Sequence, residues 1–250
     1  MDERGPAAYL AEFIGTLLLV FFITAVVSLF VTPPGPANPN PFIDWSVIGL
    51  VHAFVLFALI QALAVASGAH FNPAVTIGLA ALRQISPPDA VIYIVAQLAG
   101  AVAGALLTKL LLNDFPNADN VNFGAVAISD RLDGKLTLGM LGEFIGTFML
   151  VFTIIGAAVD PRTDRAVSPW AIGAALGIGV MIMGSLTGGS LNPARAFGPA
   201  IVSGEWDGFW HFVLAYCVAP ALGAIVAAFL YLAVLRQRGG KGVEGLEPVG

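Results

Sequence analysis

Long apolar stretches alternate with short polar segments along almost the whole chain. Six of these stretches have the roughly 20 residues that an α-helix needs to cross the hydrocarbon core of a bilayer. The pattern therefore predicts an all-α membrane protein with six transmembrane helices. The predicted spans cover residues 7–31, 46–66, 90–112, 138–159, 168–186 and 209–235.

Two further apolar segments are only half as long. Each follows the tripeptide Asn-Pro-Ala, which begins at Asn72 and again at Asn192. Asparagine is a good helix N-cap, and proline is favoured in the first helical turn. A helix of about 10 residues reaches only half-way through a bilayer. We therefore expect two re-entrant half-helices that enter from opposite faces and meet near the midplane.

The two halves of the chain resemble each other. Residues 12–16 and 143–147 both read Glu-Phe-Ile-Gly-Thr, and both halves carry Asn-Pro-Ala after their second span. Each half has three spans, so the second half must enter the membrane from the opposite face, as in an inverted 3+3 repeat. The expected organisation is one channel domain, with a first repeat at about 7–112, a polar linking loop at 113–137, a second repeat at about 138–235 and a tail at 236–250.

Composition agrees with a membrane protein and excludes several other classes. Hydrophobic residues make up 58% of the chain and charged residues only 11%, too few to cover a soluble protein. A net charge of −5 does not indicate nucleic-acid binding, which needs an excess of basic residues. The single cysteine excludes an internal disulfide framework. We expect no cofactor and no metal site.

Basic residues set the expected orientation. The loops on the side of the two termini hold most of them, which places both termini in the cytoplasm by the positive-inside rule. The short termini favour a prokaryotic plasma membrane. The basic residues on the side of the termini are Arg4, Arg83, Arg162, Arg165, Arg236, Arg238 and Lys241, and those on the other side are Lys109, Arg131 and Lys135.

Irregular backbone at membrane depth is tolerated only where it is buried in protein or lines a water-filled cavity. The loops before the two asparagines therefore predict a pore lined by backbone carbonyls. Glu12 and Glu143, which are equivalent in the repeat, are expected to brace these loops by accepting backbone N–H groups. The residues expected to offer carbonyls are Gly68, Ala69, His70, Gly188 and Ser190.

At these motifs the sequence resembles the major intrinsic protein family, which comprises the aquaporins and aquaglyceroporins. The resemblance covers about residues 8–235. It implies a right-handed bundle with one pore in each subunit, usually assembled as a homotetramer in membrane lipid. It also implies a four-residue constriction on the outer side of the pore, formed here by His52, Val180, Gly189 and Arg195.

This set of four residues is most similar to that of the tonoplast intrinsic proteins of plants. That similarity implies a passive, non-enzymatic channel for water, with permeability to ammonia or other small neutral solutes. Ala196 and Ala200 replace residues typical of glycerol facilitators and also favour the water branch. In the sixth span the chain departs from the usual water members, because Cys217 follows Tyr216 where they carry tryptophan.

Other functions remain open from the sequence. A urea or glycerol facilitator is the first alternative, since Gly189 and Val180 leave room in the constriction. A coupled secondary transporter and a membrane adhesion protein with a closed pore are the others. Three glycine pairs are expected to allow close helix packing and carry no chemistry: Gly100/Gly104, Gly142/Gly146 and Gly173/Gly177.

Overall fold

The computed structural model describes residues 4–32, 42–115 and 119–236. Within these residues, six helical spans are long and apolar enough to cross a membrane, which confirms the predicted fold class. The prolines of the first outer loop and the C-terminal tail lie outside the described residues. The helices are α1 (Pro6–Phe30), α2 (Trp45–Ser67), α3 (Pro73–Ala81), α4 (Pro87–Leu112), α5 (Leu136–Ile154), α6 (Ser168–Thr187), α7 (Pro193–Ser203), α8 (Phe209–His211) and α9 (Ala219–Arg236).

Two of the six spans contain a stretch of π-helix. The fourth span continues from α5 through π-helical Ile155–Val159, and the sixth joins α8 to α9 through π-helical Phe212–Val218. A two-residue antiparallel pair, β1 (Val31–Thr32) with β2 (Phe42–Ile43), connects the first two spans. We call the face where α1 begins and α9 ends the terminal side, and the other face the opposite side.

The spans pack in pairs that follow the repeat. Helix α1 packs on α4, and α5 packs on α9 in the same way. Small residues permit both contacts, because a Cβ atom added at Gly100 or Gly223 would collide with the carbonyl oxygen of Phe13 or Phe144. At the contact between α2 and α6, a Cβ atom at Gly177 would lie 2.7 Å from the carbonyl oxygen of Gly49.

One glycine pair behaves differently from the prediction. Gly142 does face another span, through the side chain of Thr187 in α6. A Cβ atom at Gly146, however, would lie 2.6 Å from the side chain of Leu191, in the loop before α7. Gly146 therefore makes room for a re-entrant loop rather than for a helix.

The half-helices α3 and α7 begin as the sequence predicts. Asn72 caps α3 by accepting the N–H of Ala74, and Asn192 caps α7 by accepting those of Ala194 and Arg195. Before each cap, the preceding span ends at a glycine with positive φ, Gly68 or Gly188. This left-handed C-cap turns the chain sharply from the span into its re-entrant loop.

The segment between the two repeats, which the sequence predicts to be a long polar link, also contains buried apolar residues. Left-handed backbone at Asn122 and Phe123 interrupts its Asp119–Gly124 stretch, and Asp130–Leu132 forms a 3₁₀ turn. Phe123, Val126 and Ile128 are buried in it. The segment therefore folds back over the opposite side of the bundle, where the N–H of Ser129 donates to the carbonyl of Leu186 at the end of α6.

Candidate pore and constriction

Two cavities enter the bundle from opposite ends of α2 and α6. One, of about 450 Å³, lies at the terminal side and reaches both Asn72 and Asn192. The other, of about 290 Å³, lies at the opposite side and reaches Arg195. The two openings thus converge on the region where the half-helices meet.

The two asparagines join the half-helices by reciprocal hydrogen bonds. The Asn72 amide donates to the carbonyl of Leu191 at 2.8 Å, and the Asn192 amide donates to the carbonyl of Phe71 at 2.9 Å. Each side-chain oxygen is already engaged in capping its own helix. An amide nitrogen carries two hydrogens. One donor of each asparagine is therefore left for a molecule in the cavity.

The re-entrant loops are held by two fully buried glutamates. Glu12 accepts the N–H groups of His70 and Phe71 at 2.9 and 2.7 Å. Glu143 accepts those of Ser190 and Leu191 at 3.0 and 2.7 Å. These bonds compensate the cost of a carboxylate at membrane depth and hold strained backbone. Phe71 and Leu191 both have positive φ, 50° and 51°.

Side chains from other helices complete this bracing, and the sequence did not indicate them. Gln97 of α4 donates to Glu12 at 2.7 Å. The hydroxyl of Tyr93 donates to the carbonyl of Ser67, and that of Tyr216 donates to the carbonyl of Thr187, at 2.8 and 2.9 Å. The tyrosines occupy matching places in the two halves, so comparing the repeats more closely would have found them.

The four residues expected at the constriction come from three elements. His52 is buried in α2 and Val180 in α6, while Gly189 and Arg195 flank the start of α7. Gly189 packs on α6, since an added Cβ atom would lie 3.3 Å from the Cα of Val180.

Two buried polar atoms of the expected constriction have no hydrogen-bond partner among the described residues. His52 Nδ1 lies 2.7 Å from the carbonyl of Ile48, but His52 Nε2 has no hydrogen-bond partner among the described residues. Arg195 is only 2% exposed, and its Nε is likewise unpaired in that part of the chain. Buried polar atoms without a protein partner indicate a polar molecule in the adjoining space.

The linking segment supplies an anchor for Arg195 that the sequence did not predict. Arg195 Nη1 donates to the carbonyl of Gly124 at 2.8 Å. The apolar run from Phe123 to Ile128, inside an otherwise polar link, was the available signal that this segment is buried. A buried arginine needs such carbonyl partners to be stable.

The residues expected to offer carbonyls are distributed over both cavities. Gly68, Ala69 and His70 border the cavity on the terminal side, and Gly188 borders the other. Ser190 is buried, and its hydroxyl donates to the carbonyl of Asn192 at 2.8 Å. Among the described residues, no group of three or more His, Cys, Asp or Glu side chains could bind a metal ion.

Six spans with two half-helices that meet between them define a multi-pass membrane protein of the inverted-repeat channel type. The family model described as Major intrinsic protein matches residues 5–231. The chain therefore belongs to the major intrinsic protein family of membrane channels.

Individual relatives agree with this assignment. Aquaporin AqpM of Methanothermobacter marburgensis is 38% identical over 236 residues, which cover 89% of this chain and 94% of that protein. Probable aquaporin TIP2-2 of Oryza sativa is 35% identical over 230 residues, 90% of this chain and 87% of that protein. The fold also matches the aquaglyceroporin from Plasmodium falciparum, with a TM-score of 0.75, 24% identity, and coverage of 92% of this chain and 96% of that one.

Proposed function

We propose that this protein is a passive channel for water, with permeability to ammonia or other small neutral solutes, and that it excludes protons and ions. The observation that carries the proposal is that two buried atoms, His52 Nε2 and Arg195 Nε, have no hydrogen-bond partner among the described residues, while two cavities approach the half-helices from opposite sides. A line of water molecules would satisfy both atoms. Hydrated cations would meet the fixed charge of Arg195.

The asparagine pair supports the exclusion of protons. Each half-helix places about half a positive charge at its N-terminus, and both termini meet at the asparagines. A water molecule that accepts the free donors of Asn72 and Asn192 must turn its own hydrogens outward. This orientation interrupts a chain of hydrogen bonds along which protons could move. Exclusion by half-helix dipoles and an arginine is general for pores of this type.

A urea or glycerol facilitator stays the second candidate, because Val180 and Gly189 are small residues at the proposed constriction. A coupled transporter needs acidic groups that can exchange ions near the midplane. Glu12 and Glu143 are engaged by backbone N–H groups instead.

Stopped-flow light scattering on proteoliposomes tests the proposal. We expect osmotic water permeability well above that of empty vesicles, slower urea and glycerol entry, and no response to an imposed proton or sodium gradient. Equal rates for glycerol and water would favour a facilitator, and a response to a gradient would favour a transporter. No increase over empty vesicles, at verified reconstitution, would contradict a channel function.

A pair of histidine variants tests the constriction. His52→Ala removes a buried ring at the proposed constriction, so urea permeability relative to water should rise several-fold. His211→Ala is the matched control, because His211 lies at the start of the sixth span and pairs with Asp207 rather than with the constriction. Equal urea-to-water ratios in the two variants would contradict the proposed role of His52.

We also propose that the protein forms a homotetramer in lipid, as the family resemblance implies, with both termini in the cytoplasm and the plasma membrane of a prokaryote as its location. The excess of basic loop residues on the terminal side supports the orientation. Native mass spectrometry in detergent should give four copies for each particle. A monomer under conditions that retain bound lipid would contradict the tetramer.

A further inference from the structure

The position of Arg195 depends on two separate parts of the chain. Helix α7 carries Arg195. The linking segment supplies the carbonyl of Gly124, which accepts a hydrogen bond from the Arg195 guanidinium. That carbonyl is presented by an unfavourable backbone, because Asn122, Phe123 and Gly124 have φ of 49°, 49° and 80°. Consecutive residues in the left-handed region persist only where surrounding contacts hold them.

The contacts that hold this turn centre on Phe123. Its side chain is buried and packs against Leu112 of α4 and Ala25 of α1. Gly124 lies against Thr24, and an added Cβ atom would come within 3.1 Å of the Thr24 Cα. The ammonium of Lys109, near the end of α4, lies 5.3 Å from the centroid of the Phe123 ring, within the range of a cation–π interaction.

Lys109 also contacts α7, the helix that carries Arg195. Its Nζ donates to the carbonyl of Val202 at 3.3 Å, in the last turn of α7. Carbonyls in the last turn lack helical partners and carry the negative end of the helix dipole, so a cation is favourable there. One side chain thus touches both α7 and the linking segment.

We propose that Lys109 is a positioning residue that sets the selectivity of the constriction. By joining the C-terminal end of α7 to the Phe123 turn, it fixes the carbonyl of Gly124 relative to Arg195 and so limits the space beside His52. The proposal rests on the proposed channel function, but its structural part does not need transport to be tested.

The first test compares Lys109→Met with Lys109→Arg. Methionine keeps much of the length but loses the charge, whereas arginine can still donate and stack on the ring. Lys109→Met should raise the ratio of urea to water permeability about fivefold, the order expected for loss of one cation–π contact. Lys109→Arg should stay close to the parent protein. Lys135→Met is the matched control, since Lys135 lies on the same side in an exposed pair with Asp133.

The second test is independent of transport. Arg195 is only 2% exposed, so its modification by phenylglyoxal, followed by peptide mass spectrometry, should be slow in the parent protein. Loosening the anchor should speed this modification about fivefold in Lys109→Met and leave it unchanged in Lys135→Met. This readout stands even if the parent protein fails to conduct water, in which case the channel proposal alone is contradicted.

A third variant covers the case in which Lys109→Met does not fold. Phe123→Leu keeps an apolar side chain but removes the ring, and it should change both readouts in the same direction. Adding Lys109→Met to Phe123→Leu should then have little further effect, because Phe123→Leu already breaks the link between Lys109 and the turn. Unchanged solute ratios and Arg195 modification in folded Lys109→Met and Phe123→Leu would overturn the proposal.

Discussion

At the scale of single residues, the sequence indicates the role of some buried polar groups but not their hydrogen-bond partners. The repeat predicts one role for Glu12 and Glu143, because both begin the same local motif, and both accept backbone N–H groups of a re-entrant loop. Their side-chain partners were not foreseeable in the same way. Gln97 comes from a helix distant in the chain, and the anchor of Arg195 is a backbone carbonyl that has no signature of its own.

Asp160, just after the fourth span on the terminal side, supports a prediction at this scale. Arg162 donates to it from Nε at 2.9 Å and from Nη2, and Tyr231 donates at 2.9 Å. These bonds, that of the Arg162 side chain foremost, hold the pKa of the Asp160 carboxyl well below its usual range. The charged form therefore stabilises the fold at neutral pH.

Asp160→Asn should lower the free energy of unfolding by about 1–2 kcal/mol at neutral pH, the order for a hydrogen bond to a charged group whose partner is half exposed. The contribution is present above the unfolded pKa of about 3.9 and is lost as pH falls towards the depressed native pKa. The difference between parent and variant should therefore shrink below about pH 4. Unfolding in detergent from pH 3 to 8 measures it.

The control for this experiment is Asp133→Asn. Asp133 pairs with Lys135 on the surface, and its side chain is 77% exposed. Exposed ion pairs contribute little to stability, so this variant should match the parent protein at every pH. A loss of stability at Asp133 equal to that at Asp160 would contradict the role assigned to the bonds from Arg162 and Tyr231.

At the scale of elements, spans and half-helices were predictable because their signals are local. A long apolar run, or an Asn-Pro cap before a short one, specifies its own structure. The linking segment was predictable only in part, because its apolar run from Phe123 to Ile128 indicates burial but does not indicate which helices it packs against. Burial of Phe123 and Val126 depends on which helices lie beneath them, and sequence order does not reveal that.

Gly15 links a span to the pore and gives a prediction at this scale. A Cβ atom there would overlap the ring of Phe71, whose carbonyl accepts the Asn192 amide. Gly15→Ala should therefore displace the re-entrant loop and reduce water permeability several-fold in proteoliposomes. Overpacking of this kind costs about 1–3 kcal/mol, so the variant should still fold.

Gly5→Ala is the matched control for this variant. It is the same substitution at the start of the same helix, and nothing lies within 4 Å of the added Cβ atom. Its water permeability should equal that of the parent protein. Equal permeability of Gly15→Ala and Gly5→Ala, at the same protein density, would be evidence against coupling between α1 and the pore.

At the scale of the whole molecule, the exposed surface of the spans is apolar. Leu10, Phe54, Val95, Trp170 and Phe229 are all exposed, on five different spans. In water such a surface would aggregate, whereas lipid or a neighbouring subunit covers it at no cost. Polar segments between the spans, such as those around Lys135 and Arg165, reach the aqueous phases, so the two faces can be distinguished by labelling.

Two cysteine variants in a Cys217→Ser background test the orientation. Arg165 lies on the terminal side and Lys135 on the opposite side, and both are exposed. In intact cells, a membrane-impermeant maleimide should label Lys135→Cys and leave Arg165→Cys unlabelled, because basic loops remain in the cytoplasm. Permeabilised cells should give labelling of both. The reverse pattern in intact cells would place the termini outside.

The crossed bonds between Asn72 and Leu191, and between Asn192 and Phe71, make the halves reciprocal. Each contributes one donor and one acceptor, so a half on its own would leave both unsatisfied in a dry environment. Two copies of one half could satisfy each other only if the copies were inserted upside down relative to one another. Each half has three spans, which is an odd number. When two copies are fused end to end, the second copy is therefore inserted upside down in every molecule, and no single polypeptide has to adopt two topologies.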